Sequence, residues 1–432
     1  MNIFKILVGL IVSVSSLWAE QASAPNVVMI LSDDQGYADY SFMGHEFIAT
    51  PRIDKLASAS LVYERGYVTT AVCCPSISTM LTGLYPHQHG TTGNDPIKGV
   101  NRKAWIDKFR NSPQLPRLLG EAGYLSMHTG KYWHGDPAVS GFTDSMGLTQ
   151  RHGSEYSLSI GRKTMQPIYD FIQKSQDQKK PFFVWFAPFM PHTPHTPPER
   201  LEKKYQKLGA KNQSKYYAMC EWFDESCGEL LDHLDEKGLT ENTVIVYICD
   251  NGWGSMGSGS VKASPHELGV RTPIMIKWPG KVSAQLDKVN MASNIDLVPT
   301  ILAACGVEIP KVLPGINLLD IDAVGARKNL FLECFTHDML AIDQPEAGLR
   351  ARSYVDKQWK LTVWRKPHTL LDLKGWQKET PQEEIQLFNI KDDPMQKNNL
   401  AAQHPEKVGD LMKELNRWWN PGPVKNSVQK TQ

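Results

Sequence analysis

Three short runs of this chain are almost wholly apolar and stop at polar or Pro-rich punctuation. Asn26-Val27-Val28-Met29-Ile30-Leu31 ends at Ser32-Asp33-Asp34, and Thr243-Val244-Ile245-Val246-Tyr247-Ile248-Cys249 ends at Asp250-Asn251-Gly252. Pro181-Phe182-Phe183-Val184-Trp185-Phe186 ends in a loop rich in Pro and His. Runs of this length, without polar alternation, predict strands buried on both faces of a parallel sheet. Residues 216–237 instead place Met219, Trp222, Phe223, Leu230, Leu231 and Leu234 at roughly helical spacing and meet a stop signal at Gly238. Strands and helices alternate to about residue 310, which predicts an α/β fold with a doubly wound, mostly parallel sheet. Beyond about residue 325 the texture changes: residues 353–365 and 385–390 read as strands and 405–419 as an amphipathic helix, a smaller C-terminal α+β domain. The expected organisation is therefore a leader over residues 1–24, a main domain over 25–325 and a smaller one over 326–432, with a polar, frayed tail from residue 425.

The leader reads as a signal peptide. Lys5 supplies its positive end, residues 6–17 its apolar run, and Ala19 or Ala22-Ser23-Ala24 its cleavage site. That run is shorter than the roughly 20 residues a bilayer span needs, so no membrane span is expected after cleavage, and the protein reads as exported, periplasmic or secreted. Composition adds one constraint. With 47 basic against 46 acidic residues the formal charge is +1, so no global field draws the chain to nucleic acid, and any anion recognition must be local. Seven scattered cysteines make no disulfide framework, and without a CxxC pair zinc is not indicated. Cys220 and Cys227, seven apart on one helix face, read as core packing.

In open α/β sheets, sites gather beyond the carboxyl ends of strands. Asp33 and Asp34 stand at one such end and Asp250 and Asn251 at another. Three carboxylates and an amide oxygen suit a hard cation such as calcium, with magnesium the alternative, although Asp33-Asp34 alone reads equally as a turn and helix cap. Cys73 and Cys74 precede Pro75, which predicts an extended segment, and Ser76 can then cap a helix over 77–84. A helix N-terminus there would favour anions and lower a thiol pKa; two small buried cysteines are the other reading. Lys131, His192 and Lys262 lie in loops punctuated by Gly and Pro, able to form a local cationic pocket for a sulfate or phosphate group. The Gly- and Ser-rich stretch 252–264, running from Asn251 past Lys262, reads as a mobile active-site loop.

Cys73-Cys74-Pro75-Ser76-Ile77-Ser78-Thr79-Met80-Leu81-Thr82-Gly83 resembles the signature of type I sulfatases, Cys-x-Pro-Ser-Arg-x-x-x-Leu-Thr-Gly, whose leading Cys is oxidised to formylglycine. Asn26–Gly36, Thr50–Ala57, Val244–Gly252 and Leu387–Leu400 resemble further segments of the same family in the same order, so the chain is similar over nearly its whole length to a sulfatase of the alkaline-phosphatase superfamily. The resemblance implies that residues 25–325 form the catalytic domain. It also implies that Asp33, Asp34, Asp250 and Asn251 hold calcium together with the formylglycine at Cys73, and that Lys131 and Lys262 neutralise the sulfate. His192 falls in the family's Pro-His-x-Pro segment on the substrate side. His134 is similar to the histidine of Gly-Lys-Trp-His, with Tyr132-Trp133 inserting one residue. The implied activity is hydrolysis of sulfate esters, on sulfated carbohydrates, after maturation by a formylglycine-generating or radical-type enzyme. The tract Leu81–Gly90 has some likeness to sulfamidases, which leaves an N-sulfated sugar open. The signature departs from the family at Ile77, where an Arg normally holds the formylglycine. Arg65 or Arg271 is expected to cover the missing charge if Cys73 is converted. Two other functions stay open: phosphonate or phosphodiester hydrolysis on the same fold, and a catalytically degenerate relative that binds sulfated glycans.

Overall fold

The computed structural model describes residues 24–149, 152–253, 261–365 and 383–424. Residues 1–23 of the expected signal peptide, the tail after residue 424 and most of the Gly- and Ser-rich loop (residues 254–260) therefore lie outside the described residues. No helix among the described residues is long and apolar enough to cross a membrane.

The main sheet contains β1 (Asn26–Ser32), β2 (Leu61–Tyr67), β3 (Leu125–Gly130), β4 (Asp144–Ser145), β5 (Phe182–Ala187), β6 (Thr243–Cys249), β7 (Ile274–Lys277) and β8 (Gln285–Ser293). Its order is β4-β3-β5-β1-β6-β7-β2-β8. Strands β3, β5, β1 and β6 are contiguous and parallel, while β7 runs antiparallel to β6 and β2. The unbroken apolar runs follow from double-sided cover. Val27, Met29 and Leu31 pack on the side of the helix Cys73–Thr82, and Val28 and Ile30 on the side of Met219, Phe223 and Leu230 from the helix Ser214–Glu236. Each such side chain, fully buried, contributes about 1.5–3 kcal/mol. Cys220 and Cys227 are both buried in that long helix.

A second, antiparallel sheet of order β12-β11-β10-β9 follows, from β9 (Leu330–Phe335), β10 (Leu349–Val355), β11 (Trp359–Trp364) and β12 (Ile385–Asn389). What the sequence suggests as one strand over 353–365 is the hairpin of β10 and β11. Asp356 turns it, its Oδ1 accepting from the amides of Gln358 and Trp359 at 2.7 and 2.6 Å. The helix Pro405–Trp418 covers this sheet with Leu411 and Leu415.

One local expectation fails at a position that matters. The helix that carries the cysteine pair begins at Cys73 rather than Ile77, with Val72 as its cap residue. Pro75 falls in the first turn, where amide hydrogens have no partner within the helix, so its missing N–H is tolerated there. Ser76 is already inside the helix, its amide bonded to the Val72 carbonyl at 3.0 Å.

Candidate active site

Strand register delivers the site. Ser32 pairs with Cys249, and Gly130 with Ala187, so the residues that follow β1, β3, β5 and β6 leave the sheet at one edge. The backbone continues the alignment: the Asp33 amide bonds to Met190 O, that of Asp250 to Ser32 O and that of Lys131 to Ala187 O. Asp34 takes a positive φ of 59°, which turns its side chain back toward the other strand ends.

The predicted residues meet there, with one exception. Lys131 Nζ lies 2.5 Å from Asp33 Oδ1 and 3.4 Å from Asp250 Oδ2. Lys262 Nζ lies 2.7 and 2.9 Å from the two oxygens of Asp34 and 2.9 Å from Cys73 Sγ. Asn251 Nδ2 donates to Asp34 Oδ1 at 2.6 Å, and His192 Nε2 is 3.4 Å from Asp34 Oδ2. All of these side chains are buried except that of Lys262, which is half-buried; Lys131 in particular escapes the ordinary fate of loop lysines. Asp33, Asp34, Cys73 and His192 can bring one ligand atom each within 4.8 Å of one another. Asp33 Oδ2 and Asn251 Oδ1 are buried without a hydrogen-bond partner. Oxygen acceptors left in that state suit a hard cation, so the donor set fits calcium.

The exception is His134. Its ring stacks on Phe109 with centroids 3.6 Å apart, and its Nε2 is 3.4 Å from Thr91 Oγ1. The inserted residue explains this. In the extended segment after β3, alternate side chains face opposite ways. Lys131 and Trp133 share one side, with Nζ 5.1 Å from the indole centroid, whereas the Tyr132 and His134 rings lie together on the other. Trp133 thus stands beside the site lysine, a placement that counting alternation from Lys131 would have found. Asn94 is a second residue the sequence did not single out: its Oδ1 accepts from the Cys74 amide at 2.9 Å. Its Nδ2 is 3.2 Å from His337 Nε2.

The expected compensation for Ile77 is also corrected. Arg65 donates to the carbonyls of Asp356 and Lys357. Arg271 pairs with Glu267 and lies over the Tyr37 ring. The cation at the Cys73 sulfur is Lys262, and Ile77 is buried in the apolar cluster that also holds Met80 and Leu81.

Burial governs the protonation states. It pushes Asp33 and Asp250 up to about 6, because together with the neighbouring carboxylates it outweighs the attraction of Lys131 and Lys262. Asp34 is buried as well, yet Lys262, His192 and Lys131 together hold it well below the usual carboxylate range. Cys73 is pushed up to about 12, again by burial, which outweighs Lys131 and Lys262 and reverses the lowering expected from the helix end. Stability should therefore depend on pH and cation together. In cation-free protein the raised carboxylates stabilise the fold below about pH 4 and lose that contribution as pH rises through about 6; Asp34 acts with the opposite sign. A cation that binds the ionised oxygens offsets the loss. Calcium is thus expected to raise the melting temperature little at pH 5 and markedly at pH 7.5 in scanning calorimetry. Equal shifts at both pH values would count against this donor set.

Comparison with known proteins is consistent with this picture. Residues 25–307 match the family model described as Sulfatase, and residues 262–419 match N-sulphoglucosamine sulphohydrolase, C-terminal. The chain is 28% identical over 346 residues to human N-acetylgalactosamine-6-sulfatase, covering 68% of this chain and 65% of that protein. It is 24% identical to arylsulfatase K of Xenopus laevis, over 90% of this chain and 81% of the relative. The chain therefore spans about two thirds of the length of the human N-acetylgalactosamine-6-sulfatase it matches. Among solved structures, Ps i-CgsB superposes with a TM-score of 0.74 at 23% identity, covering 93% of this chain and 94% of that one. BT4656, solved with its substrate D-glucosamine-2-N,6-O-disulfate, gives 0.72 at 19% identity, covering 93% and 100%.

Proposed function

The chain belongs to the sulfatase family of sulfate ester hydrolases, and on that premise we propose that it removes sulfate from sulfated carbohydrates at Cys73, matured to formylglycine, beside a calcium ion held by Asp33, Asp34, Asp250 and Asn251. The observation that carries this reading is the meeting of Cys73, buried Lys131, half-buried Lys262 and the oxygen-bearing side chains of Asp33, Asp34, Asp250 and Asn251 at one sheet edge. The state of the sulfur supports the need for maturation. A thiol pushed up to about 12 stays protonated at neutral pH and is a poor nucleophile. A formylglycine supplies, as a hydrated aldehyde, two hydroxyls on one carbon, one to take up the sulfuryl group and one to release it. Calcium supplies positive charge at the sulfuryl oxygens.

The chain's own residues do the rest. Lys262, 2.9 Å from the Cys73 sulfur, stands where charge develops on the transferred group, and Lys131 both balances Asp33 and Asp250 and adds its positive charge to the field at Cys73. His192 Nδ1 donates to the Thr193 carbonyl at 2.5 Å, which turns Nε2 to the site. Burial pushes His192 down to about 4, so at neutral pH Nε2 offers a lone pair that can take a proton and return it to the leaving oxygen. Export through the leader and maturation by a dedicated enzyme belong to the same reading.

A second reading, cleavage of an N-sulfate, is favoured by the match of residues 262–419 to the sulphoglucosamine sulphohydrolase C-terminal model. Ion chromatography of sulfate released from glucosamine 6-O-sulfate and from N-sulfoglucosamine separates the two. The main reading expects release from an O-sulfated sugar, and release from the N-sulfated sugar alone would replace it with the second. Release from neither, across a panel of sulfated saccharides, would overturn both.

A further inference from the structure

We propose that the C-terminal sheet takes part in the chemistry through Arg350, a positioning residue that holds Lys262 against Cys73 by way of the Ala263 carbonyl; this rests on the sulfatase reading above. Lys262 and Ala263 are the central pair of a tight turn closed by the Ser264 amide on the Val261 carbonyl at 3.2 Å. Ala263 adopts a φ of +57°, a left-handed conformation that residues with a Cβ disfavour. Such a residue persists only where its surroundings over-determine it.

Here they do. The Ala263 amide donates to the carbonyl of Ala71, two residues before Cys73, at 2.8 Å. Its carbonyl accepts from Arg350 Nη1 at 3.2 Å and from Cys334 Sγ at 3.2 Å. Both donors come from the second sheet, Cys334 on β9 and Arg350 on β10, and both are buried. The Arg350 guanidinium lies over the Trp364 ring at 5.7 Å, which fixes its plane. One side of the turn is thereby tied to the nucleophile segment and the other to the C-terminal sheet. The Lys262 side chain then has a single direction to take, into the 2.7–2.9 Å contacts with Asp34 and Cys73. Without the arginine, the carbonyl loses its charged donor, the strained turn relaxes, and Lys262 no longer sits where the sulfuryl charge develops.

The test is a double-mutant cycle on the full-length matured protein, with Arg350→Gln, Lys262→Ala and both together, and with Arg350→Lys as the conservative variant. Arg350→Gln is expected to lower kcat for sulfate release by about 10- to 100-fold, with KM changed less than about threefold. Arg350→Lys, which keeps a charged donor, should recover most of the loss. In the Lys262→Ala background Arg350→Gln should have little further effect. Undiminished kcat in Arg350→Gln, or full additivity with Lys262→Ala, would overturn the proposal. Calorimetric affinity for inorganic sulfate gives a readout that does not need turnover: Arg350→Gln should weaken it in wild-type background and leave it unchanged in Lys262→Ala. If wild-type protein released no sulfate from any substrate, the sulfatase reading would fail, and this affinity pair would still decide the role of Arg350.

Discussion

Cys73→Ala is expected to abolish sulfate release, a loss on the order of 10⁴-fold or more, because it removes the atom on which the covalent step depends. The fold should survive. Cys73 is fully buried, and alanine is smaller, while Lys262 keeps both contacts to Asp34 at 2.7 and 2.9 Å. Affinity for inorganic sulfate should therefore remain near that of the wild type. Cys73→Ser sharpens the point. A serine offers one hydroxyl and none on the same carbon to expel sulfate, so at most one equivalent should be released from the sugar before the protein stalls, visible as a sulfated adduct in intact mass spectrometry. Wild-type turnover in Cys73→Ala would place the nucleophile elsewhere and overturn the mechanism built on Cys73. The maturation itself has a direct readout: mass spectrometry of the peptide containing Cys73 from the native host. A free thiol in every molecule would end the formylglycine mechanism, whatever its kinetics.

The site was legible in the sequence to the extent that it is written by strand ends. Burial on both faces leaves strands such as Val27–Leu31 and Val244–Cys249 no choice but continuous apolar composition, so the polar residues that end them stand out. Asp33, Asp34, Asp250 and Asn251 stand out in this way, and the structure brings them to one sheet edge. Lys131, His192 and Lys262 were found because Gly, Pro and His punctuate their loops, and the structure brings all three to the carboxylates. What sequence reading lacked was direction and tertiary partnership. A one-residue insertion is a small change in a motif but reverses which side chain faces the site, and His134 gives way to Trp133 for that reason. Arg65 and Arg271 looked available because their charge was visible and their partners were not: backbone carbonyls for the first, Glu267 and Tyr37 for the second. The start of the helix at Cys73 departs from the sequence reading through a local rule. The bias of a residue before proline toward extended structure yielded to a first helical turn that needs no amide hydrogen from Pro75.

Lys131→Met should separate the two duties that a buried lysine has here. Lys131 is 1% exposed, and although burial alone would push its pKa down, Asp33 and the other surrounding anionic groups hold it well above the usual lysine value. Methionine keeps much of the length and the contact with Trp133 and Phe189 but removes the charge, leaving Asp33 and Asp250 facing each other in a buried site. Removing one partner of a buried ion pair typically costs about 3–5 kcal/mol. That loss should appear in chemical denaturation of the cation-free variant at pH 7.5, and shrink at pH 5, where both carboxylates, pushed up to about 6, accept protons. Calcium should restore most of the stability, since a dication balances the same oxygens that the lysine did. It should not restore turnover, which is expected to stay about 10²- to 10³-fold below wild type because the positive charge lost from the sulfuryl site is not replaced. Recovery of activity with calcium would make Lys131 a structural counter-ion only. A variant as stable as wild type without calcium would mean that Asp33 and Asp250 do not depend on it at all.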